Sequence, residues 1–146
     1  MALFLLERVS PYSVDRSWHL LTEWQRHADV VPLTRIRVVT PPPTHEGTVF
    51  VARSGVGPLA FDDPMEVVVW QPPGDGGPGM CRLVKRGSFV TGWAEIEVHP
   101  AGRGGSRVVW REDIRVRVLP GFLDRGLAWA GRWMFGRAVE RLLRGD

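Results

Sequence analysis

Glu112 is the residue of this 146-residue chain whose setting points most directly to chemistry. It interrupts an apolar alternation of Val108, Trp110, Ile114, Val116 and Val118, and the intervening positions include Arg111, Asp113, Arg115 and Arg117. Period two with one charged face marks a half-exposed antiparallel strand, so the spacing predicts that Glu112 points inward. A carboxyl group placed there needs a partner or a raised pKa. Beside an open cavity it could serve as a general acid or base. An ion pair with an arginine such as Arg53, or a bulge that turns it to water, is the purely structural alternative.

The other reactive residue types form no complete set. Asp62 and Asp63 precede Pro64, and adjacent strand residues point to opposite faces, so a shared-proton dyad is not expected. They read as turn and capping residues, with too few oxygen ligands nearby for a metal. His19, His27, His45 and His99 make no HxxxH or Cys/His cluster. His45 and His99 fall in loops, whereas His27 lies between a helix and a strand, at a candidate pocket entrance. His27 and Arg53 are the groups that could polarise a substrate beside Glu112. Cys81 is the lone cysteine and reads as a small apolar residue in a strand. The run Ser54-Gly55-Val56-Gly57-Pro58 lacks the lysine and helix start of a phosphate loop. It reads as a turn or as a flexible hairpin over a cavity. No cofactor and no metal are expected.

These residues must be positioned by a recognisable order of elements. Residues 2–9 read as a strand. Ser10-Pro11 opens a helical stretch to about Arg26, with Val14, Trp18, Leu21 and Trp24 on one face, split into two short helices. Strands follow over 34–40, 47–54 and 59–70, the last with a bend at Asp62-Asp63-Pro64. Residues 72–79 form a turn, 80–85 and 88–99 a hairpin closed at Arg86-Gly87, and 107–119 the final strand.

Pro120-Gly121 ends the alternation, and a helical period runs from Phe122 to about Arg144. Its stripe is Leu123, Leu127, Ala130, Met134, Ala138 and Leu142. At roughly 1.5 Å per residue this helix is about 35 Å long, so it must cross the whole sheet or leave the body. The expectation is therefore one α+β domain over 1–146, with an antiparallel sheet of six to seven strands around a long C-terminal helix. Phe122, Trp129 and Trp133 lie off the stripe, near Arg125, Arg132 and Arg144. Either other elements cover them, or they serve a homodimer or membrane-surface contact.

Composition narrows the partners. The net charge of +3 argues only weakly for nucleic acid, whose binders cluster basic groups on one face, and no nucleic-acid partner is expected; the high pI follows from arginine in place of lysine, Lys85 being the only lysine. Met1 to Leu6 is too short an apolar run for a signal peptide, and no run approaches the roughly 18 residues of a membrane span. A cytoplasmic location is expected.

This order resembles the helix-grip fold of the START-like, or SRPBCC, superfamily, which includes polyketide cyclase/dehydrase-like proteins. The resemblance covers essentially the whole chain. It is carried by Trp18 and Trp24, by Gly47-Thr48-Val49-Phe50, by Met65-Glu66-Val67 with Trp70-Gln71-Pro72-Pro73, and by Gly105-Ser106-Arg107-Val108-Val109-Trp110-Arg111. Together these look like the small actinobacterial members. The resemblance implies a cavity between curved sheet and C-terminal helix that takes apolar or amphiphilic small molecules. Its expected lining is Trp110, Ile114, Val116, Leu127, Ala130, Met134 and Ala138, with Glu112, Phe50 and Arg53. It implies no single reaction, since binders and cyclases share the fold. The readings that follow are a binder of an apolar or aromatic molecule, a cyclase/dehydratase-type enzyme using Glu112, and a surface-interaction module.

Overall fold

A computed structural model describes residues 2–31, 33–117 and 123–144. Among them seven strands form one antiparallel sheet: β1 (Ala2–Ser10), β2 (Thr34–Val38), β3 (Val49–Ser54), β4 (Phe61–Gln71), β5 (Gly79–Arg86), β6 (Val90–Pro100) and β7 (Ser106–Val116). The helices are α1 (Val14–Thr22), α2 (His27–Val30) and α3 (Asp124–Leu142). Across the sheet the order is β1-β7-β6-β5-β4-β3-β2, a meander from β2 to β7 with β1 added beside β7. The α+β, helix-grip order expected from the sequence is the order found.

α1 starts three residues later than its sequence signal. Ser13, not Ser10, caps it, its side chain accepting from the Arg16 N–H at 3.2 Å. Ser10 instead ends β1, and its hydroxyl joins a buried chain to Ser17 (2.7 Å) and Ser106 (2.8 Å). The buried face of α1 carries Trp18, which packs on Trp70 at 5.1 Å between ring centroids. Beyond it, Trp24 stacks on Phe50 at 4.7 Å. These rings occupy one part of the sheet's inner face.

Pro64 does not bend or interrupt the strand, as the sequence led us to expect. β4 runs unbroken through Asp62-Asp63-Pro64 to Gln71. Its pairing with β5 begins only at Met65, so the N–H that proline lacks has no partner strand waiting on that side. The irregularity of β4 is instead a register shift between Val67 and Val69. The β5–β6 connection is likewise longer than the expected Arg86-Gly87 turn, spanning residues 87–89.

α3 lies against β1 and buries a different stripe from the expected one. Gly131, Ala138, Val139, Leu142 and Leu143 are buried and Phe135 is half-buried, whereas Ala130 is exposed. The rotation is set at Gly131, where a Cβ would stand 2.9 Å from the Phe4 ring. The missing side chain lets helix and β1 approach and seats Phe135 on Phe4 (5.8 Å) and Trp110 (5.8 Å). Trp129 and Trp133 are exposed, at 71% and 59%, so no other described element covers them. Phe122, the Leu127 side chain and the predicted end of the last strand at 118–119 lie outside the described residues.

Candidate ligand cavity

A cavity of about 210 Å³ lies between the inner face of the sheet and the α2–α3 side. Its wall is mostly apolar and rich in rings, among them Trp24, Phe50, Phe61, Trp110 and Phe135. Its polar members include Asp63, Lys85, Glu112 and His27.

Three of those four form a cluster assembled from separate strands. Lys85 on β5 donates from Nζ to Asp63 Oδ2 on β4 at 2.7 Å, with side chains only 7% and 11% exposed. Glu112 on β7 is buried, two strands away from Lys85. Glu112 and Lys85 form no direct ion pair and act on each other through charge, and the strand between them leaves that space open. Lys85 stands opposite Gly92 of β6, and Glu112 opposite Ala94. No large β6 side chain therefore fills the space between the lysine and the glutamate. Gly92 has φ +129°, and a Cβ there would fall 1.8 Å from the Asp113 carbonyl oxygen, so this position admits only glycine.

The electrostatics of the cluster follow from its burial. Loss of water pushes the Glu112 pKa up to about 7. The Lys85 ammonium opposes that rise and the Asp63 charge adds to it. The Trp110 indole N–H, directed at the Glu112 carboxyl, also favours the ionised form, although the contact falls short of a complete hydrogen bond. Burial pulls Lys85 down, but the charges of Glu112 and Asp63 and the Asp63 hydrogen bond outweigh it and hold the ammonium above its ordinary pKa. Asp63 Oδ1 is a further buried atom without a partner. The cluster thus combines a fixed cation, its bound carboxylate, and an acid that changes charge near neutrality.

His27 borders the cavity from α2. Its Nε2–H donates to the Leu21 carbonyl at 2.8 Å, and burial lowers its pKa despite that bond, with nearby Arg26 adding to the fall. The ring is therefore neutral at neutral pH, with Nδ1 left as an acceptor.

The sequence-derived lining is partly brought together. Phe50, Trp110, Glu112, Ile114, Val116 and Met134 border the cavity. Ala138 is buried but is not part of the wall, and Ala130 faces away from the core on exposed helix surface. Arg53 does not reach the cavity. It lies on the other face of β3 and pairs with Asp62 at 2.9 Å, both half-exposed, because the strand alternation sends Arg53 out and Ala52 in. The cation facing Glu112 is Lys85, not an arginine.

Asp63 and Lys85 were missed as site residues. Asp63 is a buried ion-pair partner, not a turn or capping residue. One signal was available: Lys85 is the single lysine of an arginine-rich chain and shares the inward face of Cys81 and Leu83. Cys81 itself is buried, and burial pushes its thiol up to about 12, which leaves it inert at neutral pH. Among the described residues no group of His, Cys, Asp and Glu could hold a metal ion, and no helix is long and apolar enough to cross a membrane.

No protein-family model matches the sequence, and no curated protein matches it significantly. Similarity is found in three dimensions. A START superfamily protein from Mycobacterium smegmatis superposes with a TM-score of 0.77 at 9% identity, over 99% of both chains. A norcoclaurine synthase point mutant from Thalictrum, in complex with a transition-state analogue, gives 0.66 at 13% identity over 98% of this chain and 94% of that one. The Zhui aromatase/cyclase from Streptomyces sp. R1128 gives 0.57 at 15% identity over 96% and 85%. At such identities the agreement concerns architecture. With its seven-stranded sheet, short helices after β1 and long C-terminal helix, the chain has the START-like, helix-grip fold.

Proposed function

We propose that the protein binds a small apolar molecule, with an aromatic ring system as the best-matched body, in the cavity between sheet and α3. The observation that carries this reading is an apolar, ring-lined space of about 210 Å³ beside the packed core, partly open at its Val31, Thr34 and Ser54 side. An apolar cavity of about 150 Å³ suffices to hold benzene in another protein, so this one has room for a one- or two-ring compound. The solved neighbours support the reading at the level of fold, since one of them carries a bound small molecule.

A second reading, a cyclase/dehydratase-type enzyme acting on polyketide-like substrates, is favoured by Glu112. Its proton is available near pH 7 at the cavity wall, where proton transfer to or from a bound carbonyl compound is chemically reasonable.

One experiment addresses both. Naphthalene, titrated to its solubility limit, should raise the melting temperature saturably, because a ligand that binds only the folded state stabilises it. A poly-β-ketone incubated with the protein is then recovered. Return of the compound unchanged supports a binder, and Glu112-dependent conversion supports the enzyme. Absence of any thermal shift with naphthalene would sink the binding reading.

A further inference from the structure

We propose that the Asp63–Lys85–Glu112 end of the cavity selects an uncharged ligand that carries a hydroxyl group on an aromatic or apolar body, and disfavours the carboxylate of the same body. This rests on the cavity-binding reading above and goes one step further, from the body of the ligand to its head group.

The inference comes from hydrogen-bonding capacity left unused. Three residues bordering the cavity have a buried polar atom with no complete hydrogen bond: the Oδ1 acceptor of Asp63, Oε2 of Glu112 and the Nε1–H donor of Trp110, which approaches the Glu112 carboxyl without completing a bond to it. Buried polar groups are ordinarily satisfied, and these three atoms, sealed in the present side-chain orientations, belong to wall residues, so a ligand that turns those side chains slightly can complete them. Rotation of the Glu112 carboxyl about its last bond exchanges which oxygen faces the cavity, whereas Asp63 is held through Oδ2 by Lys85 and offers Oδ1.

The inventory of donors and acceptors then discriminates among head groups. A hydroxyl both donates and accepts. It can donate to the Asp63 or Glu112 carboxylate and accept from the Trp110 indole or from protonated Glu112. A carboxylate only accepts. Lys85, the cation it would need, already has its charge compensated by Asp63 at 2.7 Å, and the new charge would be buried beside two acidic side chains. An ammonium group accepts nothing, so it would leave the Trp110 N–H unpaired and place a second cation near Lys85. A plain hydrocarbon satisfies none of the three.

The test holds the body constant and varies the head. Naphthalene, 2-naphthol and 2-naphthoate are titrated into the parent protein at mildly acidic pH, with calorimetry as the readout. We expect 2-naphthol to bind roughly tenfold tighter than naphthalene, the gain of one well-placed hydrogen bond network, and 2-naphthoate to bind at least about tenfold weaker than 2-naphthol. Trp110→Phe removes the indole donor while keeping a ring, and Glu112→Gln keeps the shape while removing the ionisable group. In at least one of them the ratio of 2-naphthol affinity to naphthalene affinity should fall, whatever the change in naphthalene affinity itself, and a ratio unchanged in both variants overturns the head-group inference. Binding of naphthalene with no gain for 2-naphthol, or 2-naphthoate binding as well as 2-naphthol, overturns the head-group inference and leaves the cavity reading intact. If none of the three binds, the cavity reading falls and this inference falls with it.

Discussion

Asp62 and Asp63 are neighbours in β4, each paired with a basic residue, and they inhabit different physical worlds. Asp62 faces out and meets Arg53 at 2.9 Å with both side chains more than half exposed. Asp63 faces in and meets Lys85 at 2.7 Å with both nearly sealed from solvent. The outer pair lies in high dielectric and is screened by salt, so its attraction is largely offset by hydration and side-chain entropy. The inner pair has lost its water, so removing either partner leaves the other's charge buried without compensation. Two adjacent aspartates thus separate an ordinary surface contact from a candidate site. The lesson is that the face, not the residue type, decides what a charge can do.

The comparison can be broken most forcefully at Lys85. Lys85→Met strands Asp63 in the core and should cost about 3–5 kcal/mol, read from chemical denaturation. Replacing both partners, Lys85→Met with Asp63→Leu, should recover most of that loss, because no uncompensated charge is then buried. A double variant as unstable as the single one would show that packing, not charge, holds this end of the cavity.

A smaller effect is expected from Glu112 and appears as a pH dependence. Its pKa rises on folding from 4.5 to about 7, so between those values the folded state holds more protons than the unfolded chain. Stability conferred by the neutral carboxyl is therefore full below about pH 4.5 and is lost as pH climbs to about 7, on the order of 3 kcal/mol in all. Lys85 does not obscure this window, since its ammonium is held above its ordinary pKa and stays charged throughout. His27, whose pKa burial lowers, adds a slope of the opposite sign below about pH 6.5, so the reading is the difference between two profiles: relative to the parent, Glu112→Gln should lose the declining component, as measured by denaturation midpoints across the range. Parallel pH profiles for parent and variant would contradict the burial of Glu112.

The smallest effect belongs to the outer pair. Arg53→Ala should change stability by less than about 1 kcal/mol, and that change should fade as salt is added. It should also leave naphthalene binding unaltered, since Arg53 does not border the cavity. Loss of binding in Arg53→Ala would erase the distinction between the two faces.

Much of this molecule was determined by its sequence alone. The two-residue period of 107–116 places Glu112 inward, the switch to a helical period after Pro120-Gly121 announces α3, and the element order announces the helix-grip fold. Periodicity is a property of one element and of the bond geometry that repeats along it, so it can be read without the rest of the chain. What only the tertiary structure decided is which inward residues meet. Asp63, Lys85 and Glu112 come from β4, β5 and β7, and they converge because strand register sets Gly92 and Ala94 between them. The stripe of α3 turns away from Ala130 because Gly131 yields to the ring of Phe4. Register and helix rotation are settled by contacts between elements distant in sequence, and no local pattern carries that information.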